Sequence, residues 1–199
     1  MDNYEYVIAG LPALSRDWTS QTHLSASELM DDIRALCSAK DCALIDTLLS
    51  GYEEQNFNAG FYSSMLKHPD RFLREYFRFD LNLRNAKVRY LNGRLGIAAD
   101  KGIFLEDELE FEEADALDKV LATEDLLERE KGLDALVWDK ISDINTFDYF
   151  DVDAILGFIA KLKIVDRWLQ LDESSGREMF RRLVDEVHGT FKGVHFNEK

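Results

Sequence analysis

The stretch from Pro69 to Gly96, PDRFLREYFRFDLNLRNAKVRYLNGRLG, constrains this chain more than any other, because it reads as one long helix. Its large apolar side chains fall at Phe72, Tyr76, Phe79, Leu83, Ala86 and Tyr90. Those steps of three and four form a single stripe on a helix. Pro69 suits a first turn, Asp70 adds negative charge where the helix dipole favours it, and Gly93 or Gly96 lets the chain leave in a left-handed conformation. At about 1.5 Å per residue the element would run roughly 35 to 40 Å, enough to span a small domain.

Inside this helix lies a polar cluster: Asp80, Asn82, Arg84, Asn85, Lys87 and Arg89. Asp80 precedes Arg84 by four residues, the order that favours an ion pair along a helix. A solvated helix face is the plain reading. The sharper one has Asp80 and Arg84, beside the apolar stripe, packing against a second helix and positioning partners rather than doing chemistry.

Composition sets the fold class. The chain has 199 residues, 46% of them hydrophobic, with only 11 Gly and 2 Pro, which leaves little room for the frequent turns of a many-stranded β fold. The expectation is an all-α (mainly α) bundle of several helices around one long central helix. It would be a single helical domain over 1–199, with room for two lobes at about 1–98 and 99–199. A weak echo between YFRFDLNLRNAKVRYL and YFDVDAILGFIAKLKIVDRWL fits two related lobes, or a chance likeness of amphipathic helices.

The remaining elements follow from local signals. YEYVIA at Tyr4 to Ala9 reads as a short strand, an extended arm or a helix. Ser25 to Glu28 carries a capping box, followed by a stripe of Leu29, Ile33 and Leu36. A short helix from about Lys40 to Ser50 ends at Gly51, a polar loop runs to Gly60, and Phe61 to Lys67 forms another short helix. Helices are expected from Leu117 to Ile144, broken near Ala122-Thr123, with or without a second break near Gly132, and with Leu126, Leu127, Leu133, Leu136, Val137, Trp138 and Ile141 buried. NTFDYFD, from Asn145 to Asp151, is a connector. The helix after it, Ala154 to Gln170, buries Ile155, Phe158, Ile159, Leu162, Val165 and Leu169. A last helix from Ser174 would turn Met179, Phe180, Leu183, Val184 and Val187 inward.

The net charge of −15, from 39 acids against 24 bases, repels phosphate backbones and anionic lipid surfaces. Nucleic acid is therefore not the expected partner, although the basic residues from Arg71 to Arg94 make a local patch. No run reaches the length of a membrane span, and the N-terminus lacks the basic region of a secretory signal. A soluble, cytoplasmic protein without direct membrane insertion is expected. Cys37 and Cys42 are five apart with no histidine at ligand spacing, which reads as buried free thiols.

The sequence offers no recognisable catalytic set and no cofactor motif: GxSxG, HExxH and a phosphate-cradling glycine loop are missing. The acids Glu106, Asp107, Glu108, Glu110, Glu112, Glu113 and Asp115 lack the DxDxDG pattern of calcium loops and read as a solvated face or an electrostatic docking surface. A helical metal-dependent hydrolase using this segment with His188 or His195 is the alternative from another class.

The segment FLREYFRFDLNLRNAKVRYLNGRL resembles a type of helix that recurs in the C-type central-stalk subunit of bacterial and archaeal V-type ATPases, the d-type of eukaryotes. The likeness rests on Asp80, Leu81, Asn82, Leu83, Asn85, Lys87 and Arg89. Together with Tyr4, Tyr6, Ala9, Gly10, Leu11 and Pro12, this helix is similar to an uncharacterised family encoded within bacterial V-type ATP synthase gene clusters. The C-type stalk protein is longer, a funnel of three similar lobes, of which 199 residues can hold only part. It couples the central rotor stalk to the membrane ring and performs no chemistry of its own. The resemblance implies a non-catalytic helical subunit or accessory protein of a V-type rotary ATP synthase. Its partners would be stalk or membrane-ring subunits, and its place the cytoplasm or, through the complex, the cytoplasmic face of the membrane. Asp80, Asn82, Arg84, Asn85, Lys87 and Arg89 would be a partner interface or a structural polar cluster.

Overall fold

A computed structural model describes residues 4–171, apart from 19, 22 and 106–110. Its elements are α1 (Tyr4–Gly10), α2 (Ala26–Leu36), α3 (Ala39–Ser50), α4 (Ala59–Met65), α5 (Arg71–Leu95), α6 (Ala114–Leu121), α7 (Leu126–Ile144) and α8 (Val152–Gln170), with one 3-10 turn at Glu54–Asn56. The fold is all-α, and no strand occurs among the described residues. Nor is any of these helices long and apolar enough to cross a membrane. The last expected helix, from Ser174, lies outside the described residues.

Polar side chains set the helix starts. Ser25, Ser38, Asn58, Asp70, Asp125 and Asp151 each accept the backbone amide three residues on, satisfying a donor that the first turn leaves without a partner. At α3 the pattern is a full capping box, in which Asp41 returns a bond to the Ser38 amide. Pro69 stands before α5 rather than in its first turn, because Asp70 takes the cap position. At the other end Gly96 adopts φ 67°, where a side chain would be strained.

α8 is the second axis of the molecule, packing against α1, α2, α3, α5 and α7. It is therefore buried on more than one face: Leu156, Ala160, Ile164 and Trp168 join Ile155, Ile159, Leu162 and Val165 inside. The larger core cluster draws side chains from both sides of residue 98, including Ile33, Leu48, Phe72, Phe77, Ile141 and Ile159. A smaller cluster of Phe79, Leu83, Leu117, Leu121 and Leu133 joins the middle of α5 to α6 and α7.

Several expectations change for reasons of packing. Tyr4 to Gly10 is a helix, since Val7 is buried in the main core and α1 lies along α8. The α5 stripe is wider than the spacing implied, because α3, α4, α7 and α8 surround its first half and bury Leu73, Phe77 and Leu81 as well. α7 runs through Gly132 without a break. A side-chain carbon at Gly132 would stand 2.8 Å from Val120, so this glycine lets α6 approach α7. Leu126 and Leu127 are 68% and 52% exposed in the first turn of α7, and Leu36 is 52% exposed at the end of α2. Each lies at a helix end, where little is packed over it.

Both cysteines are free and half-buried. Burial, followed by the charges of Asp41 and Cys42, pushes the Cys37 thiol up to about 11. It is held as an inert thiol rather than a reactive thiolate.

Candidate functional site

The six polar residues of α5 are divided among different tasks. Arg84 lies over the Phe104 ring, 3.5 Å from its centroid, and donates to the Gly102 carbonyl at 3.1 Å. The buried Asn85 carboxamide donates to the Phe104 carbonyl at 2.7 Å and accepts the Phe104 amide at 3.1 Å. Further along α5, Asn92 donates to the carbonyls of Ala98 and Lys101 at 3.0 and 2.8 Å. These side chains fasten the segment after α5 back onto the helix. Asn82 lines a small recess with Phe79, Phe111 and Lys140, Lys87 is half-buried and Arg89 is exposed.

Asp80 turns elsewhere. Its Oδ2 accepts a 2.6 Å hydrogen bond from the Tyr62 hydroxyl on α4, while Arg84 and Lys87 act on it through space. The expected Asp80–Arg84 ion pair is thus replaced by two tertiary attachments: Asp80 packs against a second helix, and Arg84 against Phe104. Burial, opposed by the Tyr62 bond and the two cations, raises the Asp80 carboxyl above the usual range.

Asp80 lines a cleft of about 390 Å³, with Tyr52, Tyr76, Asp134, Lys163 and Arg167 among its walls. The Tyr52 and Tyr76 hydroxyls meet at 2.7 Å. Burial pushes the hydroxyls of Tyr52, Tyr62 and Tyr76 well above the ordinary phenol range, so they stay protonated and act as hydrogen-bond groups, not as bases. Across the cleft Asp134 is buried, and its Oδ2 is held from two sides. It accepts the Trp168 indole N–H at 2.5 Å and pairs with Arg167.

A second feature is the connector between α7 and α8. Phe147, Tyr149 and Phe150 are 85%, 65% and 61% exposed, an unusual density of bare rings on so short a segment. The base beneath them is fixed. Arg71 donates to the Ile144 carbonyl and to Asp153, each at 3.0 Å, and pairs with Asp148. Asn145 donates to the Asp153 carbonyl at 2.7 Å, and Asp151 caps α8.

Burial, with Asp70, Asp148 and Asp151 nearby, outweighs Arg71 and raises the Asp153 carboxyl to about 6, from an ordinary value of about 4. A raised acid stabilises the fold below its unfolded pKa, and that contribution is lost as pH rises through the folded one. Asp153→Asn should therefore gain stability on the wild type between pH ~4 and ~7, by about 1 kcal/mol once the shift is discounted for solvent screening. Thermal unfolding across that range checks it; a difference independent of pH would refute the assignment.

No group of three or more His, Cys, Asp or Glu among the described residues is placed to hold a metal ion. Glu113 pairs with Lys140 at 2.6 Å, and Glu112 and Asp115 are exposed. Glu106, Asp107, Glu108 and Glu110, with His188 and His195, lie outside the described residues.

Residues 105–190 match the model of one family, described as a protein of unknown function, DUF2764. The matched stretch takes in α6, α7, α8 and the aromatic connector. No curated protein and no solved structure matches the chain.

Proposed function

We propose that the chain is a non-catalytic helical subunit or accessory protein of a V-type rotary ATPase, docking on stalk or membrane-ring subunits through its α7–α8 connector. The observation that carries the docking role is the set of exposed rings, Phe147, Tyr149 and Phe150, on a base pinned by Arg71. Aromatic anchors supply much of the energy of protein interfaces, and a fixed base lowers the ordering entropy lost on binding. The choice of complex rests on the resemblance of the Asp80 to Arg89 segment to the helix of the C-type stalk protein. The whole chain is acidic, which favours a partner surface that mixes apolar and basic groups. Docking of this kind would hold the protein at the cytoplasmic face of the membrane.

Affinity capture of the tagged protein from its native membranes tests this. V-type ATPase subunits should co-purify with the wild type and be lost with the triple variant Phe147→Ser, Tyr149→Ser, Phe150→Ser, whose changes lie on the surface and should leave the unfolding temperature within a few degrees. Capture that never contains these subunits would end the assignment to this complex; capture unaffected by the triple change would end the assignment of the surface.

A further inference from the structure

We infer that the cleft walled by Tyr52, Tyr76, Asp80 and Lys163 binds a small organic ammonium ion, with Asp80 as the counter-ion and the Tyr52 ring beside the cation. Asp80 motivates it. Among the described residues its one hydrogen bond comes from Tyr62, and no cation stands within ion-pair distance, because Arg84 is drawn away to Phe104 and Gly102. A carboxylate withdrawn from water without a cation is costly, and one that faces an open cleft can be balanced by a ligand. Asp134, in the same cleft, has no such need, since Arg167 and Trp168 already satisfy it.

The walls suit a cation. The Lys163 ammonium lies 5.9 Å from the centroid of the Tyr52 ring, so this ring face already accepts positive charge. Lys163 is held only loosely, 3.8 Å from Asp166, and a ligand ammonium would take its place. The paired Tyr52 and Tyr76 hydroxyls offer lone pairs to the ligand N–H groups. At about 390 Å³ the cleft is within the range of small-molecule sites. A divalent metal needs several carboxylates converging on one point, and although Asp80, Asp134 and Asp166 all line the cleft, they are not placed together to hold one. An anion would face the carboxylates of Asp80, Asp134 and Asp166, which outnumber the cations of Lys163 and Arg167 in the walls.

The test is calorimetric titration of the full chain with benzylammonium, with benzyl alcohol as the neutral analogue. Benzylammonium should bind at least about tenfold more tightly than the alcohol, and Asp80→Asn should remove that preference. Lys163→Gln should strengthen ammonium binding by relieving competition at Tyr52, a gain that no unfolding defect can imitate. Equal affinity for the alcohol, unchanged affinity in Asp80→Asn, weaker binding in Lys163→Gln or no binding at millimolar probe would each overturn the proposal. Because the connector is remote in sequence and absent from these walls, its triple variant should bind the probe as the wild type does, which separates this site from the docking surface.

Discussion

Arg71→Met is expected to lower stability by about 2 to 3 kcal/mol, or roughly 5 to 10 °C in unfolding temperature for a chain of this size. Arg71 serves Asp148, Asp153 and the Ile144 carbonyl together, and the two carboxylates are only 13% and 15% exposed at their side chains. Removing the cation leaves both acids partly buried beside Asp151, and that uncompensated charge outweighs the net contribution of the pairs. Because Arg71 itself is 40% exposed, the effect falls below that of a fully buried pair. Adding Asp148→Asn and Asp153→Asn to the Met variant should recover a good part of the loss. The connector should also become a site of rapid chymotryptic cleavage, since Phe147, Tyr149 and Phe150 would lose their fixed base. A Met variant with wild-type stability and wild-type resistance to cleavage would remove Arg71 as the latch.

The largest loss should come from Phe77→Ala, about 3 to 5 kcal/mol. Phe77 is 1% exposed and packs edge-on against Phe61, with ring centroids 5.1 Å apart. It also fills the space above Gly51, where a side-chain carbon would stand 2.3 Å from the Phe77 ring. Gly51→Ala alone should therefore cost about 2 kcal/mol by overpacking. Gly51 has a right-handed backbone, φ −66°, so the methyl group itself brings no strain. In the Phe77→Ala background the same change should be neutral or mildly favourable, because the cavity accepts the methyl. Denaturant unfolding of the four proteins measures this coupling. Additive losses would show that Gly51 is required for something other than the ring.

How far a sequence leads depends on which distances its patterns can reach. The ends of α5 are legible, since Asp70 and Gly96 act through contacts within one turn. The same holds for the cap at Ser25. The exposure of Leu126 and the continuity of α7 at Gly132 depend on what packs across from them, and no periodicity carries that. Asp80 stands out by its spacing to Arg84, yet its hydrogen-bond partner is Tyr62, 18 residues earlier on another helix. Tyr76 precedes Asp80 by one turn of α5, but Tyr52 and Asp134 stand in other elements with no shared motif, so only folding brings them to the cleft. Asn92 escapes a sequence reading for the same reason: its task, holding the carbonyls of Ala98 and Lys101, is visible only once the chain has turned back. The connector is legible as a connector from NTFDYFD, but that its three aromatics stay exposed depends on what the fold leaves uncovered around them.

The docking account is tested most directly by the affinity of the purified chain for detergent-solubilised V-type ATPase, measured for the wild type and for the Phe147→Ser, Tyr149→Ser, Phe150→Ser variant. Loss of three aromatic anchors should weaken binding by at least about thirtyfold, roughly 2 kcal/mol, while thermal unfolding of the free protein stays nearly unchanged. Equal affinity of the two proteins, or no binding by either, would contradict it.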